Sequence, residues 1–302
     1  MAGRGSGVGG AGPMLTSGGR EDLQPVAHLI CEERGLEFVQ HQGEGSFKQV
    51  FQVRDTEGEV LALKVLKAGA ASSRTEREIE AMQRCAHPNI VALKAVSRIR
   101  VEQVAYDYVL ETFVQGGTLG DRLRREGPLG RAEIAPLGHA MIDVLAHLHS
   151  LRLVHRDIKP DNVMLAEDGS TPVLVDFGIV RDLSASSLTH TWANRGPATP
   201  YFAAPEQLNN DKHLIDWRTD QFSLGVMLTY AAFGVHPFKC EGEAPDSTVA
   251  RVANRGEHSR QFLELADGNG LLCLSEMTQV WPVWRYRLPQ ELAAVWDSTT
   301  GG

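Results

Sequence analysis

Between Leu36 and Leu110 the apolar residues come in short runs cut by Gly, Asp and Glu; beyond Gly116 they return at helical spacing over longer stretches. This change of period constrains the chain most, because it asks for a β-rich lobe followed by a helical lobe. "FVQHQGEG", "KQVFQVRD", "GEVLALKVLK" and "YDYVLETF" read as strands. A single helical segment, "SSRTEREIEAMQRCA", interrupts them, with serines suited to an N-terminal cap and Ile79 and Met82 on an apolar face. "AEIAPLGHAMIDVLAHLHSLRL" and "TDQFSLGVMLTYAAFG" then carry helical spacing. With 302 residues, one large domain or two modest ones can bury a sizeable core.

Composition narrows the classes of partner. A net charge of -8, with 42% hydrophobic and 23% charged residues, argues against bulk binding to nucleic acid or anionic lipid. The longest apolar run, Ser223 to Val235, is too short to cross a bilayer. Cys31, Cys85, Cys240 and Cys273 are far apart and form no C-x-x-C, which fits a reducing, cytoplasmic setting. The first residues are so rich in Gly and Ser that ordering them cannot be repaid, and a flexible tail is expected over 1–30. The short stretch 297–302 is read as a second tail with no appended sensor domain or membrane anchor.

The chemistry-bearing residues lie in polar loops beside apolar strands. Gly43 and Gly45 remove two Cβ atoms from a hairpin, so a bulky ligand can lie against its backbone N–H groups; alone, such a pair is only a turn. Lys64 stands among apolar strand residues, where an exposed strand lysine is the ordinary reading. "VHRDIKPDNVML" gathers two carboxylates, a lysine and an amide, and "VLVDFGIV" ends an apolar strand in Asp176 and Gly178. His139, His147 and His149 precede the first of these loops; helix packing accounts for them better than metal binding.

Taken together, "GEGSFKQV", "ALKV", "HPNIV", "HRDIKPDN", "DFG", "APE" and "DQFSLGV" occur in one order over roughly residues 36–295. In these the chain resembles the eukaryotic-type (Hanks-type) protein serine/threonine kinases, and "APEQL" resembles the wording of their bacterial members. The resemblance implies an α+β, bilobal protein-kinase fold. Its small antiparallel β-rich N-lobe with one main helix would occupy 36–112 and its larger, mainly helical C-lobe 113–296, with ATP between them. It further implies transfer of the γ-phosphoryl group of ATP to Ser/Thr hydroxyls of a protein substrate, with Mg²⁺ or Mn²⁺.

By the same resemblance Asp157 is the catalytic base and Lys159 steadies the transferring phosphoryl group. Lys64 contacts the phosphates and is held by Glu78, with Glu76 and Glu80 as a solvated acidic face. Asn162 and Asp176 are the oxygen ligands of the metal. Gly43, Gly45, Val50, Ala62 and Met164 line the nucleotide, together with Leu110 or Glu111 according to how "YVLETFVQGG" is aligned. Leu110 is the better reading, since a buried unpaired carboxylate is costly. His155, Phe177, Met82 and Leu93 match stacking positions of the core, Asp220 matches the anchor of the catalytic loop, and Glu206 pairs with a distant arginine, Arg285. Arg156, beside Asp157, implies switching by phosphate on Thr189 or Thr191, among the hydroxyls Ser184, Ser186, Ser187 and Thr199; Thr199 itself matches the threonine that touches Asp157 and Lys159.

Two departures stand out. Lys48 replaces the third glycine of the phosphate cover and reads as an exposed strand residue or a second phosphate contact. The connection from Lys64 to Glu78 is shorter than usual. Activation is left to a partner, to dimerisation or to autophosphorylation in trans within a homodimer, and a kinase-like scaffold acting through partner binding is the alternative function. Asp161 is a candidate for attracting a basic side chain of a peptide.

Overall fold

The computed structural model describes residues 21–45, 48–67, 85–176 and 200–301. They fall into two compact units that part between Phe113 and Val114, with residues 85–92 counting with the second. The helix expected around Glu78, which also carries Met82, lies outside the described residues, as do Phe177, Thr189, Thr191 and Thr199.

The first unit is an antiparallel sheet of β1 (Glu37–Glu44), β2 (Lys48–Arg54), β3 (Val60–Leu66), β4 (Leu93–Val101) and β5 (Val104–Thr112), in the order β1-β2-β3-β5-β4. Side chains of a strand alternate between faces, so Phe51, Val53, Leu61, Leu63, Val65, Tyr106, Tyr108 and Leu110 gather on one side as the core. Val50, Ala62, Lys64, Val109 and Glu111 are left on the other. β4 escapes the strand pattern of the sequence because its mostly half-buried residues show no clean alternation.

That core is closed by α1 (Gln24–Arg34), whose Val26, Ala27, Ile30 and Cys31 are buried against the sheet along with Leu23. Pro25 sits in its first turn, and Gly35, left-handed at φ 66°, ends it by donating its N–H to the Cys31 carbonyl. The buried Gln49 amide fastens its entrance, accepting from Leu23 N at 2.9 Å and donating to the Glu21 carbonyl at 3.0 Å. At the far end Arg34 Nε donates to the Tyr108 hydroxyl at 2.7 Å. The tail expected through residue 30 is therefore corrected: residues 24–30 form the first turns of a packed helix.

The second unit is helical, with α2 (Leu119–Glu126), α3 (Arg131–Ser150), α4 (Pro205–Leu208), α5 (Trp217–Phe233), α6 (Pro245–Ala253), α7 (Arg260–Gly268), α8 (Cys273–Met277) and α9 (Pro289–Thr300), and it carries a small hairpin of β6 (Val163–Leu165) and β7 (Pro172–Leu174) that packs against α2 and α3. α5 starts where Asp216 accepts the Arg218 N–H and ends at Gly234, left-handed at φ 69°. It is buried on nearly every face, as a central helix must be. α3 and α9 approach so closely that a Cβ on Gly138 would stand 2.0 Å from the Trp296 ring. The tail expected over 297–302 is corrected as well: residues 297–300 are the last turn of α9, held to α3 where His139 meets Asp297. All four cysteines are unpaired. No helix among the described residues is long and apolar enough to cross a membrane.

Candidate active site

The loop after α3 carries Asp157, and local hydrogen bonds fix its carboxylate. Lys159 Nζ lies 3.1 Å from both carboxylate oxygens. Asn162 Nδ2 donates to the Asp157 carbonyl at 2.8 Å and to Oδ2 at 2.9 Å. Spending the amide nitrogen on Asp157 leaves the Asn162 side-chain oxygen as its other face. The β6–β7 pairing then does the rest: Val163 opposes Leu174, and Val175 N donates to the Asn162 carbonyl at 2.9 Å, so Asn162 and Asp176 flank the same end of the hairpin. Asp176 holds a left-handed backbone, φ 68°, which costs an Asp less than most residues.

Behind this loop the backbone is clamped. Arg156 is also left-handed, at φ 66°. Asp220 of α5 accepts the N–H groups of His155 at 2.6 Å and Arg156 at 2.7 Å, while Gln207 Nε2 donates to the Arg156 carbonyl at 2.9 Å. Both peptide groups of the strained residue are thereby held. Burial pushes the Asp220 carboxyl up to about 7, against the pull of the two N–H bonds. His155 accepts the Asp157 N–H on Nδ1 at 3.3 Å, which leaves Nε2 to donate to the Val175 carbonyl at 3.3 Å. Burial holds its imidazole below the ordinary range, as this neutral tautomer requires.

Deeper in the second unit Arg285 grips Glu206 with two bonds, at 2.6 and 3.0 Å, where both side chains are fully buried. Thr219 Oγ1 donates to the same carboxylate at 2.9 Å, and Arg285 also donates to the carbonyls of Arg218 and Gln279 at 2.8 and 2.7 Å. The fork geometry and complete partnering make so deep a charge pair tenable.

In the first unit Lys64 is 8% exposed and forms an ion pair with Glu111, itself 3% exposed. Val50 opposes Lys64, and Ala62 and Leu93 oppose Glu111, so all five share one face of the sheet. Leu110, preferred in the sequence for the adenine-facing position, opposes Leu63 and packs in the core on the other face; Glu111 is the residue beside Lys64. The objection to a buried carboxylate fails because this one has a partner. Gly43 opposes Val50, and a Cβ there would meet open space, so crowding within the protein does not require its glycine. Lys48 opens β2 half-buried, where exposure was the default expectation.

Other candidates separate. His139 pairs with Asp297 at 2.9 Å, His147 lies beside the His87 ring, and His149 beside Trp217, so the three histidines do not converge. Among the described residues no cluster of His, Cys, Asp and Glu could hold a metal by itself. Asp161 is paired with Arg124 at 3.1 Å. Met164 lies on β6 opposite Val173. Gln207 and the buried His236, which donates to the Tyr201 carbonyl, were missed in the sequence, where a lone Gln or His carries no signal.

The fold and this loop arrangement define a protein kinase domain, and residues 36–272 match that family; the chain belongs to it. Its relatives include a probable serine/threonine-protein kinase of Clostridium perfringens, 30% identical over 221 residues, which covers 71% of this chain and 31% of the relative. The probable serine/threonine-protein kinase PknB of Lactococcus lactis is 30% identical over 66% of this chain and 32% of its own length. Serine/threonine-protein kinase 1 of Arabidopsis thaliana is 33% identical over 67% of this chain and 23% of its own length. The chain thus matches about a third or less of the length of these relatives.

Proposed function

We propose that this chain is an ATP-dependent protein serine/threonine kinase. The observation that carries the reading is the Asp157 carboxylate, held by Lys159 and Asn162 beside Asp176. Phosphoryl transfer needs positioning and charge neutralisation more than covalent help, and each part has a residue here. Asp157 accepts the proton of the substrate hydroxyl, and Lys159 sits where it can offset charge on the transferring group. The side-chain oxygens of Asn162 and Asp176 form an all-oxygen donor set suited to Mg²⁺ or Mn²⁺, which when bound would neutralise phosphate charge. Lys64 binds the phosphates. Val50, Ala62, Glu111 and Met164 line the nucleotide, with open space over Gly43 for its approach. The names of the relatives support protein Ser/Thr hydroxyls as acceptors.

Switching by phosphate on Thr189 or Thr191, and autophosphorylation in trans within a homodimer, belong to the same proposal, with the arginine beside the catalytic base as the motive. The test is incubation with labelled ATP and Mg²⁺ and a basic protein substrate, followed by analysis of the labelled residues. Label on serine or threonine is expected. Absence of label together with absence of nucleotide binding rejects the reading in favour of a scaffold.

A further inference from the structure

Lys64 carries its counter-ion within its own sheet. The partner, Glu111, sits on the neighbouring strand, so the ion pair needs no motion of one unit against the other to form. Within the sheet the pair adjoins Val50, Ala62, Leu93 and Val109, and at this depth of burial a charge is expensive without a partner. Leu110 cannot take the place of Glu111, because it points to the opposite face. The chain thus places a buried carboxylate beside the cation that serves the phosphates.

We propose that Glu111 is a specificity-determining residue that restrains nucleotide binding: phosphates compete with its carboxylate for Lys64. The inference rests on the nucleotide-binding reading above. It follows from charge alone. A phosphate approaching Lys64 meets a fixed like charge a side chain away, in surroundings that screen it little. A ligand with the same base and sugar but no phosphate does not feel that opposition. Glu111 therefore favours the empty or nucleoside-bound state over the nucleotide-bound one.

Calorimetric titration of the full chain with Mg²⁺·ADP and, separately, with adenosine tests this on the wild type, Glu111→Gln and Glu111→Met. Glu111→Gln keeps shape and hydrogen bonding but removes the charge; Glu111→Met does so without a polar head and serves if the first variant fails to fold. The expected result is a ratio of Mg²⁺·ADP to adenosine affinity about tenfold higher in the variants than in the wild type, adenosine serving as the reference for changes in pocket shape. Equal changes for both ligands would show an effect of pocket shape and overturn the proposal, as would an unchanged or lower ratio. A wild type that binds neither ligand would instead remove the kinase reading itself.

Discussion

Arg285 and Glu206 show how much can hang on one residue. Both side chains are fully buried, so removing one partner leaves the other's charge stranded. Arg285→Met should cost about 3–5 kcal/mol in denaturant unfolding, a large share of the stability of a domain. A loss below about 1 kcal/mol would mean that the pair contributes little. Two histidines set a pH dependence. His236 accepts the Phe238 N–H at 3.1 Å and donates to the Tyr201 carbonyl at 2.8 Å, and burial pushes it and His258 down to about 4. Because the unfolded chain takes up these protons first, near the ordinary histidine value, their contribution is full above about pH 6.5 and is lost as pH falls toward 4. Asp220, raised to about 7, works in the opposite direction. Melting temperatures at pH 7.5 and 5 should therefore converge in the His236→Gln, His258→Gln double variant relative to the wild type; an unchanged difference would contradict the assignment.

At the scale of elements, α1 shows what patterning hides. Its sequence, "QPVAHLICEER", is short, weakly amphipathic and adjoins a Gly/Ser-rich stretch, so nothing local marks it as structure. Its stability comes from the apolar sheet face it covers, a tertiary cause that periodicity does not record. It also precedes residue 36, where the family match begins. A chain starting at Leu36 should therefore lose hydrogen-exchange protection across β2, β3 and β5 while the helices of the second unit keep theirs. Unchanged protection in those strands would show that α1 is dispensable. Glu111 was obscured differently: a one-residue ambiguity in "YVLETF" exchanges the two faces of the strand, and only the pairing with β3 resolves it. β1, β2, β3, β5 and the helices α3 and α5 needed no such help, since their spacing and bounding residues carry the information locally.

Across the whole molecule, the loop motifs were readable because each is a contiguous run whose chemistry is set by adjacent residues, as in "HRDIKPDN". Their supports were readable only in part. Asp220 and Glu206 were named through resemblance, whereas Gln207, which holds the Arg156 carbonyl from fifty-one positions away, has no local mark. Two compact units with these loops form a protein kinase domain, and the role proposed for Asp157 is to act on the substrate hydroxyl. Phosphoryl-transfer rates of the wild type and Asp157→Asn at saturating ATP and Mg²⁺, with nucleotide affinity measured on both, test that role. The variant's rate is expected to be lower by about 10²–10⁴ with affinity unchanged, the range of a lost general base. Equal rates, with the variant still binding nucleotide, would contradict it.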